Sequence, residues 1–317
     1  MFPIIPANSA AVSGNKEGIF GFGQVSGNQS MTNLVSDAGV ISSDVTGVGI
    51  ERYGLTACEY GEDTGLFFGG YTGLAPFPYY VSTTNLISSS GTVASDTTSV
   101  ASGKGEQPGG ARYGGDKGII GFGYAYTPGG GGVSWTNLVT NAGVIGSDVT
   151  GVGYARYGIG ACEYGDEKAI FGYGNTEQGA PYVSPCAITN LVSTSGVVAT
   201  DQVATTGTIR YGLVACSYGG DKGIFGCGYD GTTRYGLTNL VSNTGVVATD
   251  TAAVGAARDK GAATQYGGNK GIIGFGHDGS TYLASTNLVS NSGVVASDTA
   301  GVVGATARGA LAACSLN

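Results

Sequence analysis

The chain has 317 residues, 61 of them glycine and only eight proline, with 11% charged residues and a formal net charge of −8. Glycine costs about 0.5–1 kcal/mol relative to alanine inside a helix, which excludes a helical bundle, and its lack of a three-residue period excludes collagen. The acidic balance argues against a nucleic-acid partner, because phosphate contacts need clustered Lys and Arg.

Residues 1–14 read as an N-terminal extension. Their apolar stretch, Phe2 to Pro6, is short and has no basic flank, so no secretion signal is expected. Nowhere is there a run of 18 apolar residues, so no membrane insertion is expected either. From Lys16 onward one unit repeats. Thr-Asn-Leu occurs six times, with its Asn at 33, 85, 137, 190, 239 and 287, and an Asp always follows 11 residues later, at 44, 96, 148, 201, 250 and 298. The text between them, such as TNLVSNTGVVATD, is two β-branched runs around a glycine turn, which predicts a hairpin of a third and a fourth strand. Upstream stands an apolar run: GIFGFG at Gly18, GLFFGG at Gly65, GIIGFG at Gly118, AIFGYG at Ala169, GIFGCG at Gly223 and GIIGFG at Gly271. Turn text such as Gly220-Asp221-Lys222 joins it to a preceding run such as RYGLVACSYG from Arg210, predicting a second hairpin of a first and a second strand.

The first copy begins at its second strand, and the last copy is followed by a lone first strand, ATARGALAACSLN. The two fragments complete one unit, and a closed array has no exposed end strands. The expected fold is therefore all-β: a six-bladed β-propeller of four-stranded antiparallel blades, closed by the C-terminal strand joining the N-terminal blade. The expected blades are 308–317 with 15–44, then 52–96, 104–148, 156–201, 210–250 and 258–298, in a single domain. In the second strand, alternation is expected to send Ile19, Gly21 and Gly23 to one face and Phe20 and Phe22 to the other, so that aromatic rings press on glycines of the next blade. Four cysteines, Cys58, Cys162, Cys216 and Cys314, hold one equivalent position in different units and are expected to be small buried core residues, not disulfide partners.

Arg210 to Gly231, RYGLVACSYGGDKGIFGCGYDG, resembles a kelch repeat: a basic residue opening the first strand, small residues, a short turn, and an apolar strand ending in glycines. Closure by a C-terminal strand is also similar to the kelch propellers. The chain departs from that pattern where Val40, Val144, Val197 and Val246 stand in the fourth strand in place of Trp. Its glycine-rich, nearly identical units are similar in style to virion and tail propeller proteins of bacteriophages. That resemblance implies a virion component assembled in the host cytoplasm, with an extracellular protein as the alternative.

Candidate chemistry is sparse. The one histidine, His277, sits in a loop position that Tyr229 fills in the neighbouring unit, and the Gly-x-Gly runs lead into no helix that would present its N-terminus to phosphate. Neither a cofactor nor enzymatic activity is expected. The aspartate series is expected to accept backbone N–H groups and to form a structural network with Arg52, Lys104, Arg156, Arg210, Arg258 and Arg308. Variation is confined mainly to the loop between second and third strands: the interval from the second-strand start to the Asn is 15, 20, 19, 21, 16 and 16 residues. These loops carry Tyr71, Phe77, Tyr79 and Tyr80, then Tyr124, Tyr126 and Trp135, then Tyr182, then Tyr229, Arg234 and Tyr235. Such aromatics offer large contact area at low entropic cost, and they are the expected binding residues. The expected role is a non-enzymatic structural or attachment module contacting other structural protein subunits or a host surface receptor. A glycan-binding module is the alternative and a glycan hydrolase the third reading.

Overall fold

The computed structural model of the chain describes residues 16–73, 79–126, 130–176, 184–202, 207–252 and 254–316. The described residues are all-β, with no helix among them. In chain order the strands are β1 (Gly18–Gln24) and β2 (Asn28–Val35); β3 (Thr56–Tyr60), β4 (Thr64–Phe68), β5 (Thr83–Ile87) and β6 (Thr97–Thr98); β7 (Gly109–Tyr113), β8 (Lys117–Gly121), β9 (Tyr124–Ala125), β10 (Gly131–Gly132) and β11 (Thr136–Val139). There follow β12 (Gly160–Tyr164), β13 (Lys168–Gly172) and β14 (Thr189–Val192); β15 (Val214–Tyr218), β16 (Lys222–Gly226) and β17 (Thr238–Val241); β18 (Ala262–Tyr266), β19 (Lys270–Gly274) and β20 (Thr286–Val289); and β21 (Ala312–Ser315). They form antiparallel sheets ordered β3-β4-β5-β6, β7-β8-β11, β12-β13-β14, β15-β16-β17 and β18-β19-β20. The last strand joins the first two as β21-β1-β2, in register from Gly18↔Ser315 to Gly21↔Ala312.

The expected fourth strand is mostly not a strand. Among the described residues only the second unit forms one, the two-residue β6; elsewhere the segment after the turn touches the third strand through isolated bridges such as Val35↔Ile41 and Thr32↔Val45. The register slips by one residue between those two bridges, and the same slip recurs between Val139↔Ile145 and Thr136↔Val149, which is the geometry of a β-bulge. At the slip a side chain replaces the ladder: Asn33 Nδ2 donates to the Ser42 carbonyl and Asn137 Nδ2 to that of Gly146, each at 3.0 Å. The Asn of Thr-Asn-Leu therefore interrupts the pairing that its β-branched neighbours would otherwise continue.

A second expectation is also corrected. Phe22 does not share a face with Phe20, because its φ of 63° breaks the alternation. Phe22 packs with Ile19 toward Phe67 of the next unit, while Phe20 packs with Tyr266, Ile272 and Phe275 of the last unit. The pressing of rings on glycines does occur: a Cβ at Gly21 would lie 2.4 Å from Phe67 Cζ, and one at Gly172 would lie 2.6 Å from Phe225 Cζ. The six core clusters each draw on neighbouring units, including the last and the first. The small first-strand residues fit the same junctions, with the thiols of Cys58, Cys162, Cys216 and Cys314 lying against Gly118, Gly223, Gly271 and Gly65 of neighbouring units. All six cysteines are buried free thiols.

Between units, backbone groups close a cycle of hydrogen bonds. The N–H of Gly54 donates to Ala310 O (2.7 Å), Ala310 to Lys260 O (2.7 Å), Lys260 to Gly212 O (2.9 Å), and Gly212 to Gly158 O (2.8 Å). Gly158 then donates to Glu106 O (2.8 Å), and Gln107 back to Gly54 O (3.0 Å). The donors all have left-handed φ, 67° at Gly54, 56° at Lys260 and 53° at Ala310 among them, and this conformation turns both peptide groups toward adjacent units. The third unit alone has an inserted residue here, so Glu106 (54°) and Gln107 (56°) share the task.

Candidate functional site

Beneath the cycle lies one basic residue per unit, and it is fully buried: Arg52, Lys104, Arg156, Arg210, Arg258 and Arg308 each have 0% exposure. Each reaches the Asn of its own sheet; Arg210 Nη2 donates to Asn239 Oδ1 at 2.6 Å and Arg308 Nη2 to Asn33 Oδ1 at 2.7 Å. That Asn donates in turn to the Asp 11 residues on, at 2.9 Å from Asn239 to Asp250 and from Asn33 to Asp44. Except in the third unit, where Ser102 N and Asn137 share Asp148 Oδ1, the second Asp oxygen accepts the backbone N–H two residues before the cation, at 2.8 Å for Ile50 to Asp96 and 3.0 Å for Thr306 to Asp44. The constant interval of 11 is thus the span of a clamp that pins the entering chain to the third strand. Unit six rearranges it: Asn287 Nδ2 keeps its bond to the Ala296 carbonyl but takes that of Val254 in place of Asp298, and Arg258 Nη2 meets Asp298 Oδ1 directly at 2.7 Å. The guanidinium also stacks on the preceding unit, Arg52 at 4.0 Å from the Phe22 ring centroid and Arg308 at 4.5 Å from that of Phe275. Burial lowers the Arg52 and Arg308 pKa values to about 10 against the opposing pull of Asp96 and Asp44. Lys104 falls further, to about 7, again by burial with Asp148 opposing. The unit preceding Lys104 lacks the stacking ring, since Gly69 stands there where Phe22 does in the first unit.

Around the hydrogen-bond cycle the clamps hold up an aromatic face. Each basic residue is followed by a residue bridged to the start of the loop after the second strand: Tyr53↔Tyr71, Gly105↔Tyr124, Tyr157↔Asn175, Tyr211↔Tyr229 and Asp259↔His277. Through Tyr53, Tyr71, Tyr80, Tyr124, Tyr157, Tyr211 and Tyr229, successive ring centroids are 5.3, 5.5, 5.6, 5.6, 6.3 and 5.7 Å apart. Tyr79 branches from Tyr71 at 5.5 Å. The rings are half-buried and mostly tilted or edge-to-face, the favoured arrangement for aromatic pairs. At the far end Arg234 lies 4.7 Å over the Tyr229 ring and pairs with buried Asp259 at 2.7 Å. Tyr53 is raised to about 12, by burial first and then by Glu106, and Tyr80, raised by the same causes, donates to Glu106 Oε1 at 3.4 Å.

Of the sequence-predicted residues, Tyr71, Tyr79, Tyr80, Tyr124, Tyr229 and Arg234 come together here. Tyr126 stands 60% exposed two residues beyond Tyr124. Tyr235 donates to Asp230 Oδ2 at 2.7 Å and braces its own loop. Trp135 belongs to the clamp: its carbonyl accepts from Lys104 Nζ at 3.2 Å, and its ring centroid lies 6.0 Å from that ammonium. Phe77 and Tyr182 lie outside the described residues. Sequence reasoning missed Tyr53, Tyr157 and Tyr211, although the recurring Arg-Tyr-Gly at 52–54, 156–158 and 210–212 was a usable signal. His277 accepts the Gly279 N–H on Nδ1 at 3.1 Å and packs on Tyr282.

A second polar group was also missed. The first strands line a cavity walled by Ala57, Gly110, Ala161, Ala215, Ala263 and Ala313, with Glu59, Arg112, Glu163, Ser217 and Gln265 at one end. Glu59 accepts the Ser315 N–H at 3.0 Å. Glu163 is raised to about 7, by burial first and by Glu59 second, with Arg112 opposing. Among the described residues no group of three or more His, Cys, Asp or Glu is arranged to hold a metal ion, and no helix is long and apolar enough to cross a membrane. Compared with protein-family models and with curated proteins, the chain matches none of either.

Proposed function

We propose that the chain is a six-bladed, kelch-like β-propeller that works as a non-enzymatic attachment module, a virion or tail component contacting its partner through the tyrosine face. The propeller reading is supported by the closed hydrogen-bond cycle, by the pairing of β21 with β1, and by core clusters at every junction between consecutive units. The observation that carries the function is the unbroken chain of tyrosine rings from loops otherwise distant in sequence. A large, rigid, amphipathic surface of this kind suits macromolecular recognition. Glycan binding is the second reading, favoured by the carboxylates of Glu106, Asp230 and Asp259 beside the rings.

The test is co-sedimentation of the purified chain with particles and cells of its native source. Tyr79→Ser, Tyr80→Ser and Tyr124→Ser together are expected to abolish retention with an unchanged melting temperature. Asp221→Ala with Lys222→Ala, on the turns at the other end of the sheets, is expected to leave it intact; the opposite pattern overturns the reading. Competition by free oligosaccharide separates the glycan reading from the protein one.

A further inference from the structure

The molecule already seats one guanidinium on its tyrosine face. Arg234 lies 4.7 Å over the Tyr229 ring, and its Nε donates to Asp259 Oδ1 of the following unit at 2.7 Å. Asp259 is buried, so the cation sits between a ring and a carboxylate withdrawn from solvent. Arg234 reaches that place because its backbone is bridged back to Tyr229 at the start of the loop. Two other units have the same bridge with a tyrosine in place of the arginine, Tyr71↔Tyr80 and His277↔Tyr282. Tyr80 likewise reaches an acid of the following unit, donating to Glu106 Oε1 at 3.4 Å. The junction of second and third units thus repeats the ring and the carboxylate of the junction between fifth and sixth, with a phenol where the latter has a guanidinium.

The side chain of Glu106 has no task in the hydrogen-bond cycle. At the equivalent place the other units carry Gly54, Gly158, Gly212, Lys260 and Ala310, and glycine adopts the left-handed φ needed there without steric cost. The cycle uses only the Glu106 carbonyl, which accepts the Gly158 N–H at 2.8 Å. The carboxylate stands beside Tyr53 and Tyr80 and makes no ion pair among the described residues. Burial raises its pKa, while the exposed Lys260 and the Tyr80 phenol pull it back. Its charge is thus met inside the protein by one phenol and by a lysine that does not touch it. A cation placed against it gains both the carboxylate and the adjoining ring faces. The net charge of −8 favours the approach of such a group. A guanidinium suits the place better than an ammonium, because it is planar, stacks on tyrosine and meets a carboxylate through two N–H groups at once.

We propose that the tyrosine face takes an arginine side chain of its protein partner at Glu106, against the rings of Tyr53 and Tyr80. The assignment rests on the tyrosine face being the contact surface and names the group that this surface recognises. Titration of the full chain with N-acetyl-arginine amide, followed by NMR, tests the site without the partner, and N-acetyl-citrulline amide is the neutral isostere for comparison. The arginine probe is expected to bind at least about tenfold more tightly than the citrulline one. Glu106→Gln is expected to abolish that preference, and Lys260→Met, which deletes the opposing charge, to widen it. If Glu106→Gln melts early, Lys260→Met is read in its place. In co-sedimentation, Glu106→Gln is expected to lower retention, and the arginine probe, not the citrulline one, to compete. Equal binding of the two probes, a preference unchanged in the variants, or retention undiminished in Glu106→Gln would each overturn the proposal. The two readings fail separately. If the Tyr79→Ser/Tyr80→Ser/Tyr124→Ser triple loses retention while the wild type shows no arginine preference, the face remains the contact surface and the arginine assignment falls. If the preference depends on Glu106 but the serine triple is retained like wild type, the attachment reading falls, and with it the assignment of the cation to the partner.

Discussion

At Asn239 one buried amide serves three partners, accepting from Arg210 Nη2 and donating to the Ala248 carbonyl and Asp250 Oδ1. Asn239→Ala should leave a buried guanidinium short of an acceptor and cost about 3 kcal/mol. Asn243→Ala, which removes only an exposed bond to Asp221, should stay within about 0.5 kcal/mol; urea midpoints of the two variants check the difference. Asp250 also contributes to the acid limb of stability. Burial pushes the Asp250 pKa up, but hydrogen bonds from Thr208 and Asn239, with Arg210, outweigh it and hold the group below its ordinary value. Its contribution is present above the unfolded pKa and is lost as pH falls through the folded one. Glu163 has the opposite sign. Held at about 7, it binds its proton more tightly folded than unfolded, so stability falls as pH rises from the ordinary carboxylate range toward 7. Glu163→Gln should therefore melt higher than wild type in alkaline buffer and equal it in acid, a comparison that calorimetry at both ends of the range decides.

Within the strands, packing is set by which positions lack a Cβ. At Gly121 a Cβ would sit 2.9 Å from Thr136 Cγ2 and 3.0 Å from Phe171 Cζ, so Gly121→Val should cost about 1–3 kcal/mol by overpacking. Gly27→Ala, with nothing within 4 Å, is the neutral control, and chemical denaturation reads both. The hairpins of first, second and third strands were legible because turn text, glycine placement and alternation are local signals. The fourth segment was read as a strand because VVATD looks like one. Its register slip arises from an amide side chain that captures its carbonyl, a contact that strand propensity does not encode. Phe22 was misplaced for a similar reason: alternation assumes extended backbone, and nothing in GIFGFG announces a left-handed residue.

For the whole molecule, the chain ends carry the closing contacts. Arg308 clamps Asn33 and Asp44, Thr306 donates to Asp44, and β21 pairs with β1. Deleting 308–317 removes one strand and one clamp at once and should lower the melting temperature by more than about 4 °C; a change within about 2 °C would mean that closure does not depend on this segment. The sequence by itself determined the number of units, the strand hairpins, the equivalence of four cysteines and the chain-end complementation, because each is written in local periodicity and fixed spacing. Only the tertiary structure decided that the constant Asn-to-Asp interval is one limb of a clamp on a buried cation, and that tyrosines from Arg-Tyr-Gly and from the variable loops merge into one face. The clamp joins residues some 29 to 46 positions apart within one unit and the tyrosine face joins several units; both distances in space depend on how the strands pair and the sheets pack, which spacing along the chain does not record.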